Sequence, residues 1–180
     1  MASEAKNVGS AVNDSSGGVN AWTNPGNFAG NNSTSYASGA CGSGGIDVVL
    51  YCKLVKNGSR TGNTKSVYPT SKTVYSMGGA ADLWGVSLDP SDVNASNFGF
   101  SLQGEYGTTT QYLKATGMSF DIPSGATIDG VKVEVTADST DLMGNKSIRC
   151  YLALVTVYYS ESSGGTGKAI RTFARVLGGI

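Results

Sequence analysis

The closest pair of acids with room for chemistry is Asp89 and Asp92, in the run Asp89-Pro90-Ser91-Asp92. Paired carboxylates are what glycoside hydrolysis needs, one as acid and one as nucleophile or base. The same four residues also spell a helix start. Asp89 fits the N-cap, Pro90 the first helical position, and Asp92 the third, where it can reach back to the cap. Capping accounts for the pair without catalysis. Histidine is absent from all 180 residues. That removes the usual general base, the Ser-His-Asp and Cys-His arrangements, and the commonest metal ligand.

Oxygen ligands for calcium occur in two places: Asp89, Asp92, Asn94 and Asn97, and Asp138, Asp141 and Asn145. Neither follows the EF-hand spacing, and such residues are ordinary in turns. The glycine runs Gly42–Gly45, Gly78-Gly79 and Gly164-Gly165 lack the Lys-Ser/Thr of a phosphate loop and read as turns and linkers. Cys41, Cys52 and Cys150 are an odd, unpaired set, as expected of buried free thiols in a reducing cytoplasm, with a Cys41–Cys52 bridge as the lesser reading. Nine tyrosines (36, 51, 68, 75, 106, 112, 151, 158 and 159) could line a sugar-binding face. Tyrosine equally suits strands and subunit interfaces. The expectation is no enzyme, no cofactor and no metal.

The elements that would carry these residues are strands. Met118, Phe120 and Ile122 alternate with polar residues, Pro123-Ser124-Gly125 breaks the run, and Val131, Val133 and Val135 alternate again. Period-2 alternation around a turn marks half-buried strands. The spacing predicts strands over 46–56, 74–77, 97–103, 112–122, 127–137 and 147–159. It places Trp84, Val86 and Leu88 on one face and a single helical turn at 90–95. Segments 29–45, 59–72 and 138–146 read as polar or loop-like, and Asn57-Gly58 as a turn. Trp22 anchors the start of the domain. About eight strands with almost no helix predict one all-β, antiparallel sandwich of jelly-roll type over 21–159. Trp84, Val86, Phe98, Phe100, Phe120, Val131, Val133 and Val135 should point inward.

The ends differ. Residues 1–20 read as an extended arm, able to reach roughly 60 Å, and 160–180 as a Gly/Ser linker with a tail, KAIRTFARVL, whose apolar residues fall near helical spacing. Segments so poor in apolar area cannot offset their own chain entropy. They are expected to contact neighbouring subunits through Val8, Val12 and Val19 in front and Ile170, Phe173, Val176 and Leu177 behind. Thirteen basic residues balance thirteen acidic ones. No basic block suggests nucleic acid, no apolar run suggests a membrane span, and no signal peptide is visible.

Four phrases resemble bacteriophage virion proteins of the tail or structural kind. They are Trp22-Thr23-Asn24-Pro25 with Ser35-Tyr36-Ala37-Ser38; the stretch Met77–Leu102 containing DLWG; IPSGATIDG at Ile122–Gly130; and the closing Val155–Tyr159. Together they span roughly half of the chain. In those relatives the IPSGATIDG phrase usually precedes DLWG; here it follows. The resemblance implies a non-enzymatic virion structural protein. A capsid decoration, or cement, protein is the leading expectation, present in many copies and contacting the major capsid protein, other virion proteins and copies of itself. Its place would be the virion, after assembly in the host cytoplasm. A tail or fibre component and a carbohydrate-binding sandwich are the alternatives.

Overall fold

The structure, a computed structural model, describes residues 1–29, 34–43, 47–142 and 145–161. It is an all-β sandwich of two antiparallel sheets. In the first, β3 (Trp22–Thr23), β4 (Ala37–Gly42), β12 (Asn145–Glu161), β11 (Ala126–Leu142) and β7 (Thr73–Gly78) follow one another, and β1 (Ala2–Asn7) also pairs with β12. In the second the order is β2 (Ser10–Asp14), β10 (Tyr112–Thr116), β8 (Gly99–Tyr106), β5 (Val49–Lys56) and β6 (Ser59–Val67), with β9 (Thr108–Thr109) against β8.

The core is the seam between the sheets. Val131, Val133, Val135 and Val155 face Leu50, Leu54, Phe100 and Leu102, all buried. Trp22, Trp84, Phe98 and Phe120 close its ends. Of the positions expected to point inward, Val86 alone is not fully buried; it packs on the margin of the core.

Several expected loops are strands. The polar stretch 138–146 continues the longest hairpin, whose ladder runs to Leu142 opposite Asn145. Opposite charges face each other there, Asp138 against Arg149 and Asp141 against Lys146. Such cross-strand pairs stabilise a ladder that has no apolar pattern. Segment 59–67 is edge strand β6, set in register by Asn57 and Gly58, both at positive φ in the turn joining Lys56 to Ser59. The segment 29–45 contains β4. Of the strand expected from residue 46, the described part begins at Val49; Ile46 lies outside the described residues.

One expected strand is not a strand throughout. The ladder of β10 stops at Thr116; Gly117 and Ser119 turn at positive φ. Met118, Phe120 and Ile122 still alternate inward, because side chains replace the missing neighbour: the amide of Asp121 bonds Glu4 at 3.0 Å and that of Ile122 bonds Asn94 at 2.9 Å. Residues 82–88, where Trp84, Val86 and Leu88 are expected to share a face, hold a turn at Trp84-Gly85 closed by the Val86 amide on the Leu83 carbonyl.

The N-terminal segment corrects the expectation of an extended arm. β1 lies along β12 from Ala2 opposite Tyr159 to Asn7 opposite Leu154. The chain then crosses to the other sheet, where β2 pairs with β10. Val8 and Ala11 are buried in the seam. Gly9 makes the crossing: its amide bonds the carbonyl of Thr116 at 3.0 Å, and a Cβ there would lie 2.1 Å from the carbonyl oxygen of Gly117. Residues 1–14 belong to the sandwich, held by backbone ladders that need little side-chain hydrophobicity. The linker and tail expected over 160–180 fall outside the described residues from Ser162 onward.

Candidate functional site

Two of the phrases that carry the resemblance, the DLWG stretch and IPSGATIDG, meet at one corner. Asp82 accepts the amide of Trp84 at 2.8 Å, bending the chain so that Trp84 sits at φ 58° and Gly85 at 73°. A left-handed tryptophan is strained by roughly 1–2 kcal/mol. Three contacts hold it. Its indole N–H donates to the carbonyl of Val131 at 2.8 Å, its carbonyl accepts from the amide of Asn63 at 2.6 Å, and Lys65 lies over its ring while pairing with Asp82 at 2.6 Å. Gly78 makes room: a Cβ there would lie 2.2 Å from the Val131 oxygen and 2.6 Å from the indole nitrogen. The amide of Val131 in turn donates to the carbonyl of Asp82 at 2.9 Å.

The neighbouring helix α1 (Pro90–Asn94) starts as its sequence requires. The carboxylate of Asp92 accepts the amide of Asp89 at 2.8 Å and pairs with Lys56 at 2.8 Å. Burial opposes ionisation of Asp92, yet these two donors hold its carboxyl below the ordinary value. Asn94 at the helix end takes both the amide and the carbonyl of Ile122, at 2.9 and 2.8 Å, as a strand partner would. The first calcium-type loop thus spends Asp92 and Asn94 on the fold. In the second, Asp138 accepts two bonds from Arg149, each 2.6 Å, and one from the Tyr151 hydroxyl at 3.0 Å. Among the described residues no three His, Cys, Asp or Glu side chains group to hold a metal.

Cys41, Cys52 and Cys150 are free and buried; no Cys41–Cys52 bridge forms. Burial pushes the Cys41 thiol up to about 11 and raises the other two strongly. None is a nucleophile near neutrality.

The outer face of the first sheet is the surface with the most character. At its β4 end, Arg149 is clamped by Asp138 and lies near the rings of Tyr36 and Tyr151, which meet edge-on at 5.3 Å. Lys72 lies 3.9 Å above the Tyr151 ring. The bonds that Arg149 donates to Asp138 raise its pKa, and burial, then the same carboxylate, raises that of Tyr151. The group is stiff and its acceptors are filled, which suits contact rather than catalysis. Next to it lies a shallow depression of about 200 Å³ lined by Val74, Glu134, Thr136, Leu152 and Leu154. Val74 is 56% exposed. Periodicity does not reveal this face, because β12 is apolar on both sides.

Of the residues expected to touch partners, Val8 is in the core and is not available. Val12 and Val19 are exposed, and Ile170, Phe173, Val176 and Leu177 lie outside the described residues. Among the nine tyrosines, Tyr36 and Tyr68 are exposed. No helix among the described residues is long and apolar enough to cross a membrane. No family model, curated protein or solved structure matches the chain.

Proposed function

We propose that this chain is a non-enzymatic structural subunit of a bacteriophage particle, with capsid decoration as its leading role. One observation carries the reading: two of the four phrases that resemble virion proteins interlock. Trp84 and Asp82 of the DLWG phrase bond Val131, next to the IPSGATIDG phrase, and Asn94 bonds Ile122 within it. Their polar groups are spent on holding a sandwich corner, as a scaffold signature should be. The two phrases meet in space, so their order along the chain matters less than their contact.

A decoration protein works by multivalency. Each weak contact raises the effective concentration of the next. The exposed Val12 and Val19, the Tyr36–Arg149–Tyr151 group and the tail beyond Glu161 are the surfaces offered to the major capsid protein, other virion proteins and copies of this chain. The N-terminal strands no longer serve as a free arm in this scheme.

The test is immunogold labelling of banded particles from a lysate of the source strain, with antibody raised against the purified chain. Regular labelling of heads is expected. Labelling of tails or fibres would assign the chain there instead, and particles without label would sink the proposal. A glycan-array signal from the isolated domain, with unlabelled particles, would favour the carbohydrate-binding reading.

A further inference from the structure

We infer that the open edge of β7 is a docking surface for a second copy of this chain, whose own β7 pairs with it antiparallel about a two-fold axis at Val74. β7 ends the first sheet, with β11 on one side and no strand on the other among the described residues. Such an edge presents a row of outward amides and carbonyls, which proteins ordinarily blunt with charge, proline or a bend. β1, β2 and β6 are treated that way. β1 carries Glu4 and Lys6, β2 ends in Asp14, and β6 carries Arg60 and Lys65 and passes through Gly62 at φ 76°. β7 reads Thr73-Val74-Tyr75-Ser76-Met77-Gly78, without a charge or a proline. Thr73, Val74 and Ser76 are exposed.

Alternation of the ladder says which main-chain groups face out. The amide of Gly79 bonds the carbonyl of Val131 at 3.1 Å, and the same register holds back to Thr73 opposite Ala137. Hydrogen-bonded and non-bonded pairs alternate. Thr73, Tyr75 and Met77 therefore bond β11, and the amides and carbonyls of Val74 and Ser76 point to the open edge. Two identical strands paired antiparallel are related by a two-fold axis, the arrangement of most dimers. Centres at Val74 and at Tyr75 both bring the outward groups face to face.

Charge chooses between the two centres. Lys72 lies on the outer face, 3.9 Å above the Tyr151 ring. A centre at Tyr75 puts Lys72 opposite Gly78 of the other copy, in line with Lys132 on β11, like beside like. A centre at Val74 puts Lys72 opposite Ser76, in line with Glu134. Two strand spacings, about 10 Å, then separate opposite charges, a gap that the two side chains span. The symmetry repeats this attraction on the other side of the axis. The same centre sets Val74 against Val74, so the row Leu152, Thr136, Val74 continues into its copy. The depression that these residues line becomes one with that of the other copy.

A ladder of five residues from each copy falls short of the roughly 800 Å² per partner of a standard interface. The pairing is therefore weak and depends on concentration. It concerns the free subunit and does not rest on the particle reading: labelling of particles and self-association in solution can each fail without the other.

The test is sedimentation of the full chain from about 5 to 500 μM, where an interface of less than standard size shows itself. The mean mass should rise toward that of a dimer. Ser76→Pro removes an amide that points away from β11, so it spares the ladder of the fold and takes a bond from the new one. It should keep its Tm and stay monomeric. Val74→Lys, at an exposed position, places like charges on the axis and should also stay monomeric; it decides alone if Ser76→Pro loses stability. Register is read by oxidising Val74→Cys beside Ser76→Cys, the native thiols being buried. Residues paired on the axis stand about 5.5 Å apart, within disulfide reach, whereas Ser76 and its copy are about 13 Å apart along the ladder. Val74→Cys should therefore link into dimers at least about tenfold faster than Ser76→Cys. A monomer over the whole range, a Val74→Lys protein that associates as the native chain does, or equal linking rates would overturn the inference.

Discussion

Val8 and Val12 are the same residue type four positions apart, and the fold gives them opposite fates. Val8 is 4% exposed in the seam; Val12 is 51% exposed on the outside of β2. Replacing each by alanine removes two methyl groups. At about 0.8 kcal/mol per buried carbon, Val8→Ala loses about 1.6 kcal/mol of burial, and the cavity left behind takes the total to roughly 2–2.5 kcal/mol. Val12→Ala should stay within about 0.5 kcal/mol, as for most surface changes. For a domain of this size, 1 kcal/mol moves the midpoint by about 2–4 °C, so Val8→Ala should lower Tm by about 4–10 °C and Val12→Ala by less than about 2 °C. Thermal unfolding followed by circular dichroism reads both. Two unchanged midpoints would mean that residues 1–14 hang free of the sandwich. Equal, large losses would mean that the strand faces are misassigned.

Phe100→Ala, in the fully buried heart of β8, should cost about 3–5 kcal/mol in urea unfolding. Gly78→Ala forces a side chain into the left-handed region at φ 79° and against the Val131 carbonyl; a loss of about 2–4 kcal/mol is expected by the same assay. Three carboxyls titrate below their ordinary value: Asp14 through its bonds to Ser16, Asp82 through Lys65, and Asp92 through Lys56 and the Asp89 amide against the opposing effect of burial. Lowered folded-state values mean stability that is present above the unfolded carboxylate pKa of about 4 and lost as pH falls from there through the lower folded values. Tm should therefore be flat from about pH 5 to 7 and drop below about pH 4, and a profile that rises on acidification would contradict these bonds. The three thiols should react with a thiol reagent only as fast as the protein unfolds, and all three should react at once in denaturant.

The alternation of Val131, Val133 and Val135, and of Phe98, Phe100 and Leu102, determined the sandwich from sequence alone. Period-2 burial is written directly into side-chain type. The start of α1 at Asp89-Pro90 and the turn at Asn57-Gly58 were legible for the same reason: local backbone chemistry dictates them. Tertiary structure decided the rest. β1 and β6 are polar edge strands, made by main-chain bonds, β1 to the distant β12 and β6 to β5 across the Asn57-Gly58 turn, and no side-chain pattern announces them. Ser119 and Trp84 turn where an alternating pattern reads as strand, because Asn94, Asp82 and the Val131 carbonyl supply partners from elsewhere. The depression over Leu152 and Leu154 exists because β12 is apolar on both faces while sandwich packing covers only one of them. Which face meets the core is settled by register with β11, and register is a property of the folded pair.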